Sequence, residues 1–267
     1  MDLHLEGHRI LVTGGSSGVG LATVRALLAE GARVATCGRR PDALAAALDG
    51  LAGPDTLYHA PCDVTDEAAV RAFTDAAADH FGGLDGLVNN AGASRMKPFA
   101  ETTAADWREE LELKFFGVLN PLNAALPHLR ASGAPRAPRA ASVVNINAVL
   151  AKQPETRLMT TSAARAGILN LSTSLSKELA PDGIRVNSVC LGLIDTGQWE
   201  RRYAASGSPL DYPAWQAELA ADRGIALGRL GNADEVAYAV TALLSPRASY
   251  ITGTTVDVCG GVNRAVA

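Results

Sequence analysis

Short runs of β-branched and apolar residues alternate with longer Ala- and Leu-rich stretches along almost the whole chain. The short runs predict strands at 9–13, 33–37, 57–62, 86–89, 142–147, 184–190 and 255–258. Between them, Leu21, Val24 and Leu28 mark one helical face, and Ile168, Leu171, Leu175 and Leu179 mark another, at the three- and four-residue spacing of a buried stripe. Strand and helix in strict alternation predict βαβ units around a parallel sheet, an α/β fold. Gly31 closes the first helix, and "NADE", Asn232 to Glu235, opens the last with a capping-box pattern. Pro121 falls inside the helical pattern Trp107, Leu111, Phe115, Val118 and Leu122, where a missing N–H predicts a kink or an end. The rhythm breaks at 197–223, whose Trp199, Tyr203, Tyr212 and Trp215 either pack that insert down or line a substrate pocket beneath a lid.

Composition narrows the picture. With 267 residues and 48% hydrophobic content, the chain fits one large domain, 1–267, better than two small ones. A net charge of -4 favours no nucleic acid and no anionic membrane as partner. The start, "MDLHLEGHRI", lacks a signal-peptide pattern and no apolar run approaches a span, so a cytoplasmic protein is expected. Cys37, Cys62, Cys190 and Cys259 lie far apart without ligand spacing, which predicts buried free thiols and no metal. The Pro- and Gly-rich stretch 131–141 predicts a surface loop.

"ILVTGGSSGVGLATVRALLAEGA", 10–32, is a strand, a glycine-rich turn and a helix in succession. Gly14 permits the tight turn, Gly18 lets backbone N–H groups approach a pyrophosphate, and Gly20 permits close helix–strand packing. The second strand ends in "CGRRPD", placing Gly38, Arg39 and Arg40 where an acidic residue would hold the ribose hydroxyls of NAD(H). Guanidinium groups there suit a 2′-phosphate, so NADP(H) is expected over NAD(H).

With "TGGSSGVG" at 13–20, "CDVTD" at 62–66, "NNAG" at 89–92, "GIRVNSVCLGLIDTG" at 183–197 and "YITGTTVDVCGG" at 250–261, the chain resembles the short-chain dehydrogenase/reductase family over nearly its whole length. That resemblance implies a Rossmann-like, doubly wound, seven-stranded parallel sheet flanked by helices, a nicotinamide cofactor, and a homodimer or homotetramer. It implies the pyrophosphate at Gly14, Ser16, Ser17, Gly18, Val19 and Gly20, and the adenine near Asp63 and Val64. It puts a ribose by Asn89, Ala91 and Gly92, and the nicotinamide amide by Ile194 and Thr196. Leu191 stands where the family usually has proline, which implies a less rigid loop around the nicotinamide.

The family's catalytic Tyr-x-x-x-Lys corresponds here to Thr161 and Arg165, its serine to Ala148 and its helical asparagine to Lys114. All four positions of the tetrad differ. An aliphatic hydroxyl cannot be ionised as a phenol can, so Thr161 is not expected to be the acid. Lys114, in the mostly apolar "ELKFFGVL", is the candidate proton source or polariser of an anionic substrate oxygen, its pKa lowered by burial and by Arg165. Arg165 then holds the ribose or a substrate carboxylate. The opposing expectation is that Lys114 snorkels to solvent and Arg165 only grips ribose. Lys152 and Tyr203 are further proton carriers to consider. The expected activity is an NADP(H)-dependent oxidoreductase on a small carbonyl, alcohol or conjugated substrate. The alternatives are a non-redox lyase, isomerase or cyclase on the same scaffold, and a catalytically inactive nucleotide-binding partner subunit.

Overall fold

Ile10, Leu11 and Val12 are almost wholly buried, as a strand covered by helices on both faces requires. The computed structural model describes residues 2–94, 96–133 and 141–262. Seven parallel strands, β1 (Arg9–Thr13), β2 (Arg33–Gly38), β3 (Leu57–Pro61), β4 (Gly86–Asn89), β5 (Ala141–Ala148), β6 (Ile184–Leu191) and β9 (Thr255–Val258), run in the order β3-β2-β1-β4-β5-β6-β9. Two-residue strands β7 (Ile194–Asp195) and β8 (Gly231–Asn232) form a separate ribbon beside the sheet.

Alternation along the strands sends side chains into two cores. Leu11 packs with Val70 and Phe73 of α3 (Glu67–Phe81) and with Leu122 and Leu129 of α5 (Gly117–Ser132). Ile10 and Val12 pack on the opposite face with Val24 and Leu27 of α1 (Gly18–Ala29), Leu44 of α2 (Pro41–Leu48) and Val240 of α9 (Ala233–Leu244). The fold is therefore a Rossmann-like parallel sheet flanked by helices. Its order reverses at β1, between β2 and β4, and a crevice opens there outside the carboxyl ends of the strands.

The predicted helix ends hold: Gly31 has φ +77° just past α1, and Asn232 and Glu235 form a reciprocal capping box. The irregularity expected at Pro121 falls one turn upstream. α5 runs through both Pro121 and Pro127, and the widened π turn lies at Glu112–Phe116, between α4 (Ala104–Leu111) and α5. Most of the loop expected at 131–141 lies outside the described residues. Cys37, Cys62 and Cys190 are buried free thiols and Cys259 is half-buried. Among the described residues no helix is long and apolar enough to cross a membrane, and no cluster of His, Cys, Asp or Glu is placed to hold a metal.

Candidate active site

A cleft of about 1080 Å³ lies over the strand ends. One end is built by the turn after β1. Gly14 (φ +75°) and Gly18 (φ +53°) adopt backbone angles that favour glycine, and a Cβ on Gly20 would fall 2.2 Å from the Gly14 carbonyl oxygen. Ser17, the N-cap of α1, makes no side-chain cap bond, so the first-turn N–H groups remain available to an anion. Asn90 braces the turn by donating to the carbonyls of Thr13 (2.9 Å) and Gly14 (3.2 Å), while Thr13 Oγ1 accepts from the backbone N–H groups of Asn90 and Ala91.

Arg39 and Arg40 line this end together with Ser16, whose Oγ would lie 3.3 Å from a Cβ on Gly38. Asp63 accepts from the Thr65 N–H at 3.0 Å and from the Thr65 hydroxyl at 2.8 Å, and these bonds hold its carboxyl below the usual range. The glycine cradle, the free N–H groups and the two exposed guanidiniums fit a dinucleotide carrying an extra phosphate.

The other side of the cleft is set by α6 (Met159–Glu178) against the π turn. A Cβ on Gly167 would stand 2.5 Å from the Phe115 ring, so glycine is what lets α6 approach. That approach brings Thr161 and Arg165 of α6 together with Glu110 and Lys114. Thr161 is fully buried and donates its hydroxyl to Glu110 Oε1 at 2.8 Å. Lys114 Nζ lies 3.6 Å from the same oxygen and donates to the Ala93 carbonyl. Burial first, and the Arg165 charge second, bring Lys114 down to about 8. Arg165 touches the Ile146 carbonyl (3.4 Å) and Asn147 Oδ1 (3.5 Å) only at the limit of hydrogen bonding, and among the described residues its buried Nε has no hydrogen-bond partner. That orphaned donor fits a cation still waiting for ribose or carboxylate oxygens.

Of the residues singled out in the sequence, Thr161, Arg165, the glycine turn, Arg39, Arg40, Asp63, Val64, Ala91, Gly92, Ile194 and Thr196 all line the cleft. Lys114 and Asn89 lie beneath its wall. Lys114 sits behind Gly92, where a Cβ would come within 3.5 Å of Nζ, and Asn89 donates to Asn145 Oδ1 at 2.8 Å. Lys152 donates to both oxygens of Asp257 (2.9 and 3.0 Å) and the Tyr203 hydroxyl donates to the Leu210 carbonyl at 2.7 Å, and neither side chain lines the cleft. Ala148, at the end of β5, faces the cleft with no polar side chain.

Sequence reasoning missed Glu110, whose signal was its position four residues before Lys114 on a helix. The 197–223 insert folds as α7 (Gly197–Ser206) and α8 (Tyr212–Asp222). Tyr203, Tyr212 and Trp215 pack on one another with ring centres 5.2 to 6.0 Å apart, and of the four aromatics only Trp199 lines the cleft. Tyr212 donates to Asp195, and burial together with that carboxylate pushes its phenol up to about 12.

Comparison with known proteins agrees with the fold. A family profile described as enoyl-(acyl carrier protein) reductase matches residues 14–263. A cis-4-hydroxycyclohexanecarboxylate dehydrogenase from Sinomonas cyclohexanicum is 38% identical over 254 residues, covering 94% of each chain. The NADPH-bound structure of a short chain oxidoreductase from Pseudomonas aeruginosa, described as containing an atypical catalytic center, is 44% identical with a TM-score of 0.90, covering 98% of this chain and all of that one. L-sorbose reductase from Gluconobacter frateurii, solved with NADPH and L-sorbose, is 26% identical with a TM-score of 0.92 over the full length of both chains. The glycine cradle, the sheet order and these matches together make the chain a member of the short-chain dehydrogenase/reductase family.

Proposed function

We propose that the chain is a cytoplasmic, oligomeric NADP(H)-dependent oxidoreductase that acts on a small carbonyl, alcohol or conjugated substrate through a site without a phenol. The observation that carries this reading is a pair of cations, the buried Lys114 and the half-buried Arg165, held around Glu110 beside a dinucleotide cradle. The turn 14–20 holds the pyrophosphate, and Arg39 and Arg40 hold the 2′-phosphate that distinguishes NADP(H) from NAD(H). When bound, the nicotinamide supplies or accepts the hydride.

The chain's own residues do the rest. Arg165 offers its unpartnered Nε and weakly engaged Nη1 to ribose or substrate oxygens. Thr161 donates a hydrogen bond to Glu110 and acts as a brace, fixing the carboxylate that in turn positions the Lys114 ammonium. Lys114 Nζ, in the wall behind Gly92, holds the transferable proton, which has to pass the Gly92–Ala93 backbone to reach the substrate oxygen, while Arg165, which lines the cleft, stabilises negative charge on that oxygen.

The test is direct. NADPH absorbance is followed with a panel of cyclic ketones, enones and oxo-acids, beginning with 4-oxocyclohexanecarboxylate in view of the Sinomonas relative. Substrate-dependent loss of absorbance, faster with NADPH than with NADH, is expected. Tight NADPH binding with no oxidation by any member of the panel would remove the oxidoreductase reading.

A further inference from the structure

The end of the cleft away from the glycine turn has a charge imbalance. Arg223, just past α8, places Nη1 2.8 Å from Glu155 Oε2, and both side chains are half-buried. Arg202, on α7, lines the same wall. Its guanidinium carbon lies 4.6 Å from the centre of the Trp199 ring, so an aromatic face orients it. Among the described residues no carboxylate lies within ion-pair distance of Arg202. Burial and the neighbouring Arg223 both disfavour its charge, with Glu155 acting the other way. Arg223 is paired on two sides, through Nη1 with Glu155 and through Nε with the mostly exposed Asp222 at 3.7 Å, whereas Arg202 has no such partner; among the described residues Arg223 Nε is buried without a hydrogen-bond partner.

Asp222 points largely to solvent, so the unmatched charge facing the cleft is that of Arg202, which suits a monoanion better than a phosphate dianion. Planar guanidinium edges suit a carboxylate, which accepts two parallel bonds. Arg201 belongs to the other end: a Cβ on Gly197 would lie 3.2 Å from its Nη1, and Gly197 follows Thr196, which closes over Gly18 of the glycine turn. Arg202 and Arg223 therefore stand apart from the pyrophosphate cradle, while Trp199 offers an apolar wall beside them.

We propose that Arg202 and Arg223 form a recognition site for the carboxylate of a small substrate whose apolar body lies against Trp199. The ligand carboxylate completes the guanidinium pair, in which Glu155 and Asp222 engage Arg223 and leave Arg202 unpaired. The inference rests on the oxidoreductase reading only in placing the substrate in this cleft.

The experiment is calorimetric titration of the protein, alone and saturated with NADPH, with cyclohexanecarboxylate and with its neutral counterpart cyclohexanecarboxamide. Charged hydrogen bonds of this kind predict a preference for the carboxylate of about tenfold or more. In Arg202→Gln the preference disappears while the NADPH Kd stays unchanged. Glu155→Gln removes a competitor and no cation, so it tightens carboxylate binding severalfold, an effect that a merely structural role for these residues does not produce.

Equal affinity for the two probes in the native protein would overturn the inference. So would a preference that survives Arg202→Gln, an equal loss of NADPH affinity in that variant, or no gain in Glu155→Gln. The two readings fail separately. Selective carboxylate binding without NADPH oxidation sinks the oxidoreductase reading alone, and turnover of neutral ketones without any carboxylate preference sinks this inference alone.

Discussion

Because Lys114 titrates near 8 rather than at its ordinary 10.5, it imposes two pH dependences of opposite sign. As a proton source it is competent while charged, so kcat/KM for reduction falls as pH rises through about 8. For stability the unfolded chain binds the extra proton between about 8 and 10.5, so unfolding free energy rises with pH across that window. Its buried charge is a cost at neutral pH that is relieved on deprotonation. Lys114→Met is expected to lower turnover by about a hundredfold or more and to erase the alkaline limb of the rate profile. NADPH affinity, set at the glycine turn, stays within about threefold, less than the loss of one charged hydrogen bond. A rate profile of unchanged shape in this variant removes Lys114 from the chemistry. Parallel denaturant titrations at pH 7 and pH 9 show whether the stability difference between the two proteins moves in the opposite sense.

At the scale of elements, the sheet was legible because a strand buried on both faces is a continuous β-branched run closed by Gly, Asn or Asp. β1, β4 and β9 match the expected limits, and β2, β3, β5 and β6 differ by one residue at one or both ends. The pairing of Thr161 with Arg165 was legible for a similar reason, as helical spacing is local. Glu110 was not, because it is one of three acids at 109, 110 and 112, and its burial depends on a partner 51 residues away. The π turn escaped too: the helical pattern continues on both sides of it, and the contacts of Phe115 with Gly167 and of Gly117 with Val64 belong to tertiary packing. Arg39 and Arg40 lie between these cases, since their position after β2 is local while their ligand is not. Replacing both with alanine is expected to weaken NADPH binding about a hundredfold and NADH binding by about threefold or less, measured by fluorescence titration. Unchanged binding of both nucleotides would assign the arginines to solvent, and equal weakening of both would place them on a part that NADPH and NADH share.

On the scale of the whole molecule, two groups of exposed apolar side chains lie on separate elements. Leu111 and Phe116, 39% and 46% exposed, flank the π turn between α4 and α5. Tyr238 of α9, with Tyr250 and Ile251 before β9, lie toward the other side, where β9 is the last strand of the sheet and half-exposed along its length. An open edge strand and exposed aromatics invite pairing with a second copy, and two such faces per chain suit a dimer of dimers. The α4–α5 face has the further property that its apolar residues bracket the five-residue turn holding Lys114. Covering it would restrain the geometry around Glu110 and Arg165, whereas the glycine turn lies on another element and would be unaffected. Light scattering is expected to give a mass of two or four chains for the native protein and a smaller assembly for the double variant Leu111→Asp, Phe116→Asp. That variant should keep its NADPH affinity and lose turnover, because dissociation exposes the π turn and lets the Lys114 ammonium rehydrate toward its ordinary pKa. A native protein that is monomeric at assay concentration, or a dissociated variant with full turnover, would separate assembly from the site.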